Sequence, residues 1–204
     1  MNKETKKQMI ESIESLMEEN HGLVKAEKLY TLGLTYRQIQ GLVHGGVLYH
    51  VKNGYYSIHF EERPQEEIIL GMFPDGILTM ETALYFYGYL ETRPEFWSIA
   101  LSKNISKTRL NIDYPKVYPY YTEPEVMELG VSEIPFAGGM MKIYSKERLI
   151  CDCLKYEERM SREAGKRALM AYINEPQKDL GLLMEYARER KVTAKVHNRI
   201  GVWL

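Results

Sequence analysis

The chain has 204 residues, 45% of them hydrophobic and 27% charged, with a formal net charge of −1. That length suits one large domain or two small ones, and the composition is that of an ordinary soluble globular protein. Near-neutrality argues against a protein that coats nucleic acid regardless of sequence, and no apolar run approaches the ~18 residues of a membrane span.

The Lys-rich start, with no apolar segment behind it, is not expected to be a signal peptide. Residues 3–20 read as an amphipathic helix with an apolar stripe of Met9, Ile10, Ile13, Leu16 and Met17, stopped at His21-Gly22. Its outer side holds Glu11, Glu14, Glu18 and Glu19. Residues 23–32 read as a short second helix ending at Gly33. A third begins at Thr35, a good N-cap, and ends at Gly45-Gly46. At ~100° per residue Tyr36, Ile39, Leu42 and Val43 share one side. Arg37, Gln40, Gly41 and His44 share the other, with Gln38 at its margin. One side is patterned for burial, and the other carries long donors and acceptors of the kind that reach base edges and phosphates.

A β-hairpin follows. Asn53-Gly54 is a strong signal for a type I′ turn, which needs positive φ at both positions. Such a turn sets Lys52 opposite Tyr55, Val51 opposite Tyr56, His50 opposite Ser57 and Tyr49 opposite Ile58. Val51/Tyr56 and Tyr49/Ile58 then form an apolar face, while Lys52, Tyr55, His50 and Ser57 form the other. Lys52 and Asn53 stand at the tip, placed to touch a phosphate, and Tyr55 is the tyrosine left facing outward. Residues 22–58 carry a local net charge of +3. Helix, helix, reading helix and hairpin together are the pattern of an N-terminal winged helix-turn-helix over residues 1–62.

The charged, proline-bearing segment at residues 61–64 reads as a boundary. Beyond it, residues 66–73 and 79–88 read as helices, 96–102 and 116–121 as strands, and 135–144 as a hairpin around Gly138-Gly139. After Ser145, another N-cap, helices are expected at 146–156, 161–174, 180–191 and from 193 onward. This order reads as a mixed α+β domain over 63–204, so the fold class is α+β. Cys151 and Cys153 are the only cysteines, two apart on a helix; they make neither a disulfide framework nor a metal site and suggest a reducing cytosol.

These blocks resemble a known family. L-x-x-L-G-L-T-x-x-Q-I-x-x-L-V-x-x-G-V-L over residues 29–48, with V-x-x-G-Y-Y at 51–56, is similar to the AbiEi-type antitoxin regulators of bacterial type IV toxin–antitoxin systems. TMETALYFYGYLE at 79–91, VYPYY at 117–121, YSKERLICDCLKY at 144–156, RALMAYI at 167–173 and LLMEYARERKV at 182–192 extend the resemblance over nearly the whole chain. It implies a cytoplasmic antitoxin that represses its own operon through the winged helix. The partner gene would encode a nucleotidyltransferase-like toxin, opposed through the C-terminal domain without a stable complex being required.

The expected DNA-contacting residues are Thr35, Arg37, Gln38, Gln40, His44, Lys52, Asn53 and Tyr55, acting on an operator that two copies would read as an inverted repeat. Glu147, Arg148 and Asp152 either hold a helix start, with Arg148 and Asp152 paired at i, i+4, or form part of a toxin-opposing surface. Arg188, Arg190 and Lys191 lie in a run from 188 to 199 of net charge +4, which is either a second nucleic-acid patch or a solvated helix face. An enzyme is not expected. Gly138-Gly139 lacks the phosphate-loop spacing, no G-x-S-x-G elbow occurs, and the five histidines lack metal-ligand spacing, so neither cofactor nor metal is implied. Two alternatives stay open: direct binding of the toxin through the winged helix, and a ligand-sensing repressor with a pocket in the C-terminal domain.

Overall fold

The computed structural model describes residues 3–106, 110 and 112–201. The chain is a mixed α+β protein with two sheets, divided into two compact units. The first comprises Met1–Pro74 with Thr108–Pro115 and Pro135–Gly139; the second comprises Asp75–Lys107, Lys116–Ile134 and Met140–Leu204. Among the described residues no helix is long and apolar enough to cross a membrane.

The first unit runs α1 (Lys3–Glu18), β1 (Val24–Lys25), α2 (Ala26–Thr31), α3 (Tyr36–His44), β2 (Tyr49–Lys52), β3 (Tyr55–Ser57) and α4 (Gln65–Met72). Ile13 and Met17 of α1, Leu29 of α2, Ile39 and Leu42 of α3, and Tyr56 of β3 meet in one core cluster. Ile13 and Met17 of the α1 stripe are therefore buried as its spacing predicts, with Met9 and Leu16 half-buried against the same cluster and Ile10 half-buried outside it. The start of the second helix is not as expected: Val24 and Lys25 instead form a strand that pairs with Tyr56 and Tyr55, so the sheet has three strands in the order β1-β3-β2.

The hairpin also departs from the expected register. Lys52 opposes Tyr55, but beyond a bulge at Val51 His50 opposes Tyr56 and Tyr49 opposes Ser57. The cause lies in the turn. Gly54 has φ +77°, but Asn53 is not among the described non-glycine residues with positive φ, so the turn is not type I′. Unprimed turns splay the strands, and an extra residue restores their right-handed twist. Tyr56 and Ile58 stay buried as expected, but Ser57 is also buried and donates to Gly22 O (2.7 Å), whereas Tyr49 is exposed and stacks on Phe60 at 4.7 Å.

The five-stranded sheet, most of it in the second unit, has β4 (Ile77–Leu78), β5 (Trp97–Ser102), β6 (Val117–Thr122), β7 (Val131–Phe136) and β8 (Gly139–Tyr144), in the order β6-β5-β4-β8-β7. β4 pairs antiparallel with β5 and parallel with β8, while β5 and β6 are parallel. β6 stands at the edge, where Pro119 can lack a donor without breaking a ladder. The helices are α5 (Met80–Phe86), α6 (Lys146–Lys155), α7 (Arg162–Ile173), α8 (Leu180–Glu189) and α9 (Thr193–Ile200). α6 packs against all four others and is buried from Glu147 to Leu154, so its charged residues must find their partners inside.

Between β7 and β8 the turn falls on Ala137 (φ +49°) and Gly138 (φ +77°), one residue earlier than the glycine pair suggests. Alanine is strained in this left-handed region. Ala137→Gly is expected to raise the stability of the chain by about 0.5–1 kcal/mol, read as a higher urea midpoint.

Candidate nucleic-acid interface

α3 is fixed at its start by a full capping box. Thr35 Oγ1 accepts from Gln38 N at 3.4 Å, and Gln38 Oε1 accepts from both Thr35 N (2.9 Å) and Thr35 Oγ1 (2.8 Å). Gly45 closes the other end, its N–H bonded to Gly41 O and Gly46 taking φ +69°. With both ends held, Ile39 and Leu42 point into the core and Arg37 and His44 face solvent. His44 Nδ1 lies 2.8 Å from Gln40 O, so Nδ1 carries the hydrogen and Nε2 is left for an outside donor.

The other expected readers are placed differently. Thr35 and the Gln38 carbonyl are occupied by the cap, which leaves only the Gln38 amide N–H groups to reach outward. Thr35→Ala is expected to lose about 1 kcal/mol of stability through the cap alone; an unchanged melting temperature would show that the box contributes nothing. Gln40 is half-buried, donating from Nε2 to Tyr56 Oη at 3.4 Å. Burial of Tyr56 raises its hydroxyl pKa above the ordinary value, with the Tyr36 and Tyr30 hydroxyls adding to the shift. Lys52 is not a free tip residue: it is only 9% exposed, with Nζ 4.6 Å from the Tyr55 ring centroid. Asn53 is exposed at the turn and Tyr55 is half-buried beneath the two lysines that flank it.

Two residues at this surface escape a reading of the sequence alone. Tyr36, assigned by periodicity to the buried side, is 65% exposed at the first position of α3. A helical wheel gives angle but not depth, and the first turn of α3 projects beyond the core that covers Ile39. Lys25, on the unforeseen β1, lies 5.9 Å from the Tyr55 ring and joins Lys52 beside the hairpin. The α3 surface therefore combines Tyr36, Arg37 and His44 with a hairpin carrying Asn53 and the Lys25/Tyr55/Lys52 stack.

Four of the residues weighed for a toxin-opposing surface are not on a surface. Arg148 (0% exposed), Asp152 (2%) and Arg190 (1%) form a buried ion cluster, and Glu147 is buried beside it. Asp152 accepts from Arg148 Nε at 3.1 Å on one oxygen and from Arg190 Nε at 2.6 Å on the other. Arg148 Nη1 donates to the carbonyls of Val126 (2.7 Å) and Leu129 (2.8 Å), and its guanidinium lies 4.2 Å from the Tyr144 ring centroid. Gly130, at φ +70°, lets the backbone press against this group: a Cβ there would fall 2.7 Å from Arg148 Cβ. Glu147 Oε1 accepts from Tyr172 Oη and Asp179 N. Ser145 caps α6, so the cap and the Arg148–Asp152 pair hold the helix start.

The basic run at 188–199 is divided by the same packing. Arg190 is inside, and Lys195 and Arg199 pair with Glu157 at 2.7 and 3.5 Å. Within that run only Arg188 and Lys191 remain outward without an ion-pair partner among the described residues. Cys151 and Cys153 are free and buried, and burial pushes the Cys151 thiol up to about 12, so it is not a nucleophile at neutral pH. Among the described residues no group of three or more His, Cys, Asp or Glu could hold a metal ion. In comparisons with known proteins, no family model and no curated protein matches the chain.

Proposed function

We propose that the chain is a DNA-binding regulator whose first unit acts as a winged helix-turn-helix, with α3 as the element that enters a major groove. Arg37 supplies donors to base edges or phosphates, His44 Nε2 accepts from a base amino group, and Tyr36 offers an apolar face to a thymine methyl group. Asn53 and the lysines beside Tyr55 hold the adjacent backbone. The observation that carries this reading is the polarity of α3: capped at both ends, anchored by Ile39 and Leu42, and open along Arg37 and His44. Following the family resemblance, the regulator would be a cytoplasmic antitoxin that represses its own operon, binding an inverted repeat as two copies. It would oppose a nucleotidyltransferase-like toxin without itself being an enzyme or needing a cofactor.

A second reading is favoured by Tyr30 and Tyr36, two exposed tyrosines on neighbouring helices of the kind enriched in protein interfaces. On that reading the same unit binds the toxin directly. Co-expression with the adjacent reading frame, together with gel shifts on the upstream promoter fragment, separates the two. Promoter binding without a stoichiometric complex supports the regulator, whereas a stable complex without promoter binding overturns it in favour of direct neutralisation.

A further inference from the structure

In the second unit a cavity of about 840 Å³ opens beside α7, within the size range of small-molecule sites. Its apolar lining includes Leu154 of α6 and Leu169 and Ile173 of α7. Arg162 and Lys166 also line it, one turn apart in the first half of α7, and neither has an ion-pair or hydrogen-bond partner among the described residues. The positive end of the helix dipole adds to their pull on an anion. Of the two carboxylates at the cavity, Glu157 is already held by Lys195 and Arg199, while Glu158 is exposed.

Gly165 stands between the two cations and also lines the cavity. Its φ is not in the left-handed region, and a Cβ there would meet nothing nearer than Met160 Sδ at 3.7 Å. Glycine inside a helix is destabilising relative to alanine, and neither backbone conformation nor crowding requires it here. What its missing side chain does is keep the cavity open between a charged rim and an apolar floor.

We propose that this cavity binds a small amphipathic anion, a carboxylate with an apolar tail. The head group sits on Arg162 and Lys166 and the tail runs past Gly165 onto Leu169 and Ile173. Nothing in this binding depends on the DNA-reading surface, and its test does not involve DNA. Calorimetric titration of the full chain with sodium decanoate below its micellar range is expected to give saturable binding. Acetate, which lacks the tail, and decyltrimethylammonium, which reverses the charge, are expected to give none. Arg162→Gln with Lys166→Gln should weaken decanoate binding by about tenfold or more. Gly165→Leu should obstruct the passage between the charged rim and the apolar floor and weaken binding while leaving the circular dichroism spectrum unchanged. Absence of saturation with wild type, equal binding of the ammonium probe, or undiminished binding by the glutamine pair or by folded Gly165→Leu would each overturn the proposal. Should Gly165→Leu fail to fold, the exposed glutamine pair decides the matter alone.

Discussion

Asp152→Ala is expected to destabilise the chain by about 3–5 kcal/mol, the cost of stripping a buried ion cluster of the carboxylate its two arginines share. Asp152 is bonded to both Arg148 and Arg190, at 3.1 and 2.6 Å. Removing it leaves two guanidinium groups in an interior they cannot leave, because α6 is surrounded by α5, α7, α8 and α9. Glu123 reaches Arg190 only at 3.7 Å and is itself tied to Lys103 at 2.6 Å, so it does not substitute. Arginine does not lose its proton to escape such a site, and the full desolvation penalty falls on the folded state. Urea denaturation of Asp152→Ala beside wild type measures this. A loss below about 1 kcal/mol, the range of an exposed pair, would mean that the arginines reach water. Arg188→Ala, an exposed residue of the same charge run as Arg190, is the matched control and should change stability by less than about 0.5 kcal/mol.

Arg37→Ala is expected to leave stability unchanged and to weaken binding to the operator by about 1–3 kcal/mol. Arg37 is exposed on α3, within the first turn that the capping box fixes, so the substitution removes a solvent-facing group and no packing. The pattern of the effect distinguishes what Arg37 touches. If it reads a base, the substitution weakens binding to the specific site more than to unrelated DNA. If it holds a phosphate, both fall equally and binding becomes less sensitive to salt. Anisotropy titrations with operator and scrambled duplexes at two salt concentrations measure both. Equal affinity of wild type and variant on both duplexes would remove Arg37 from the interface.

The two substitutions sit on opposite sides of what the residues alone reveal. α3 was legible because its signals are local. Thr35 and Gln38 are three apart, as a capping box requires, and the Gly-Gly pair closes the helix. Ile39 and Leu42 recur at the helical interval. The boundaries of α1 and of α4 to α9 followed for the same reason, since caps and apolar periodicity depend on neighbours within a few residues. Strands β1 and β4 were invisible. Two residues are too few to display alternation, and both owe their conformation to partners far along the chain: Tyr55 and Tyr56 for β1, and Ile99, Ala100, Lys142 and Ile143 for β4. The hairpin register failed at Val51, because Asn-Gly favours a type I′ turn without enforcing it, and Asn53 does not take the positive φ that turn needs.

The sequence by itself determined the mixed α+β class, most of the helices, and an α3 with one apolar and one polar flank, because each of these follows from periodicity and capping over short separations. Only the tertiary structure decided the depth of each charge. From spacing, Arg148 and Asp152 fit either a helix-start ion pair or an outer surface, and Arg190 either a nucleic-acid patch or a solvated face; all three are interior ties of the second unit, while Tyr36 reads like core and stands in solvent. Spacing sets the direction in which a side chain points. Whether protein or water lies in that direction depends on segments distant in the chain, and for Arg148, Arg190 and Lys52 the answer was protein.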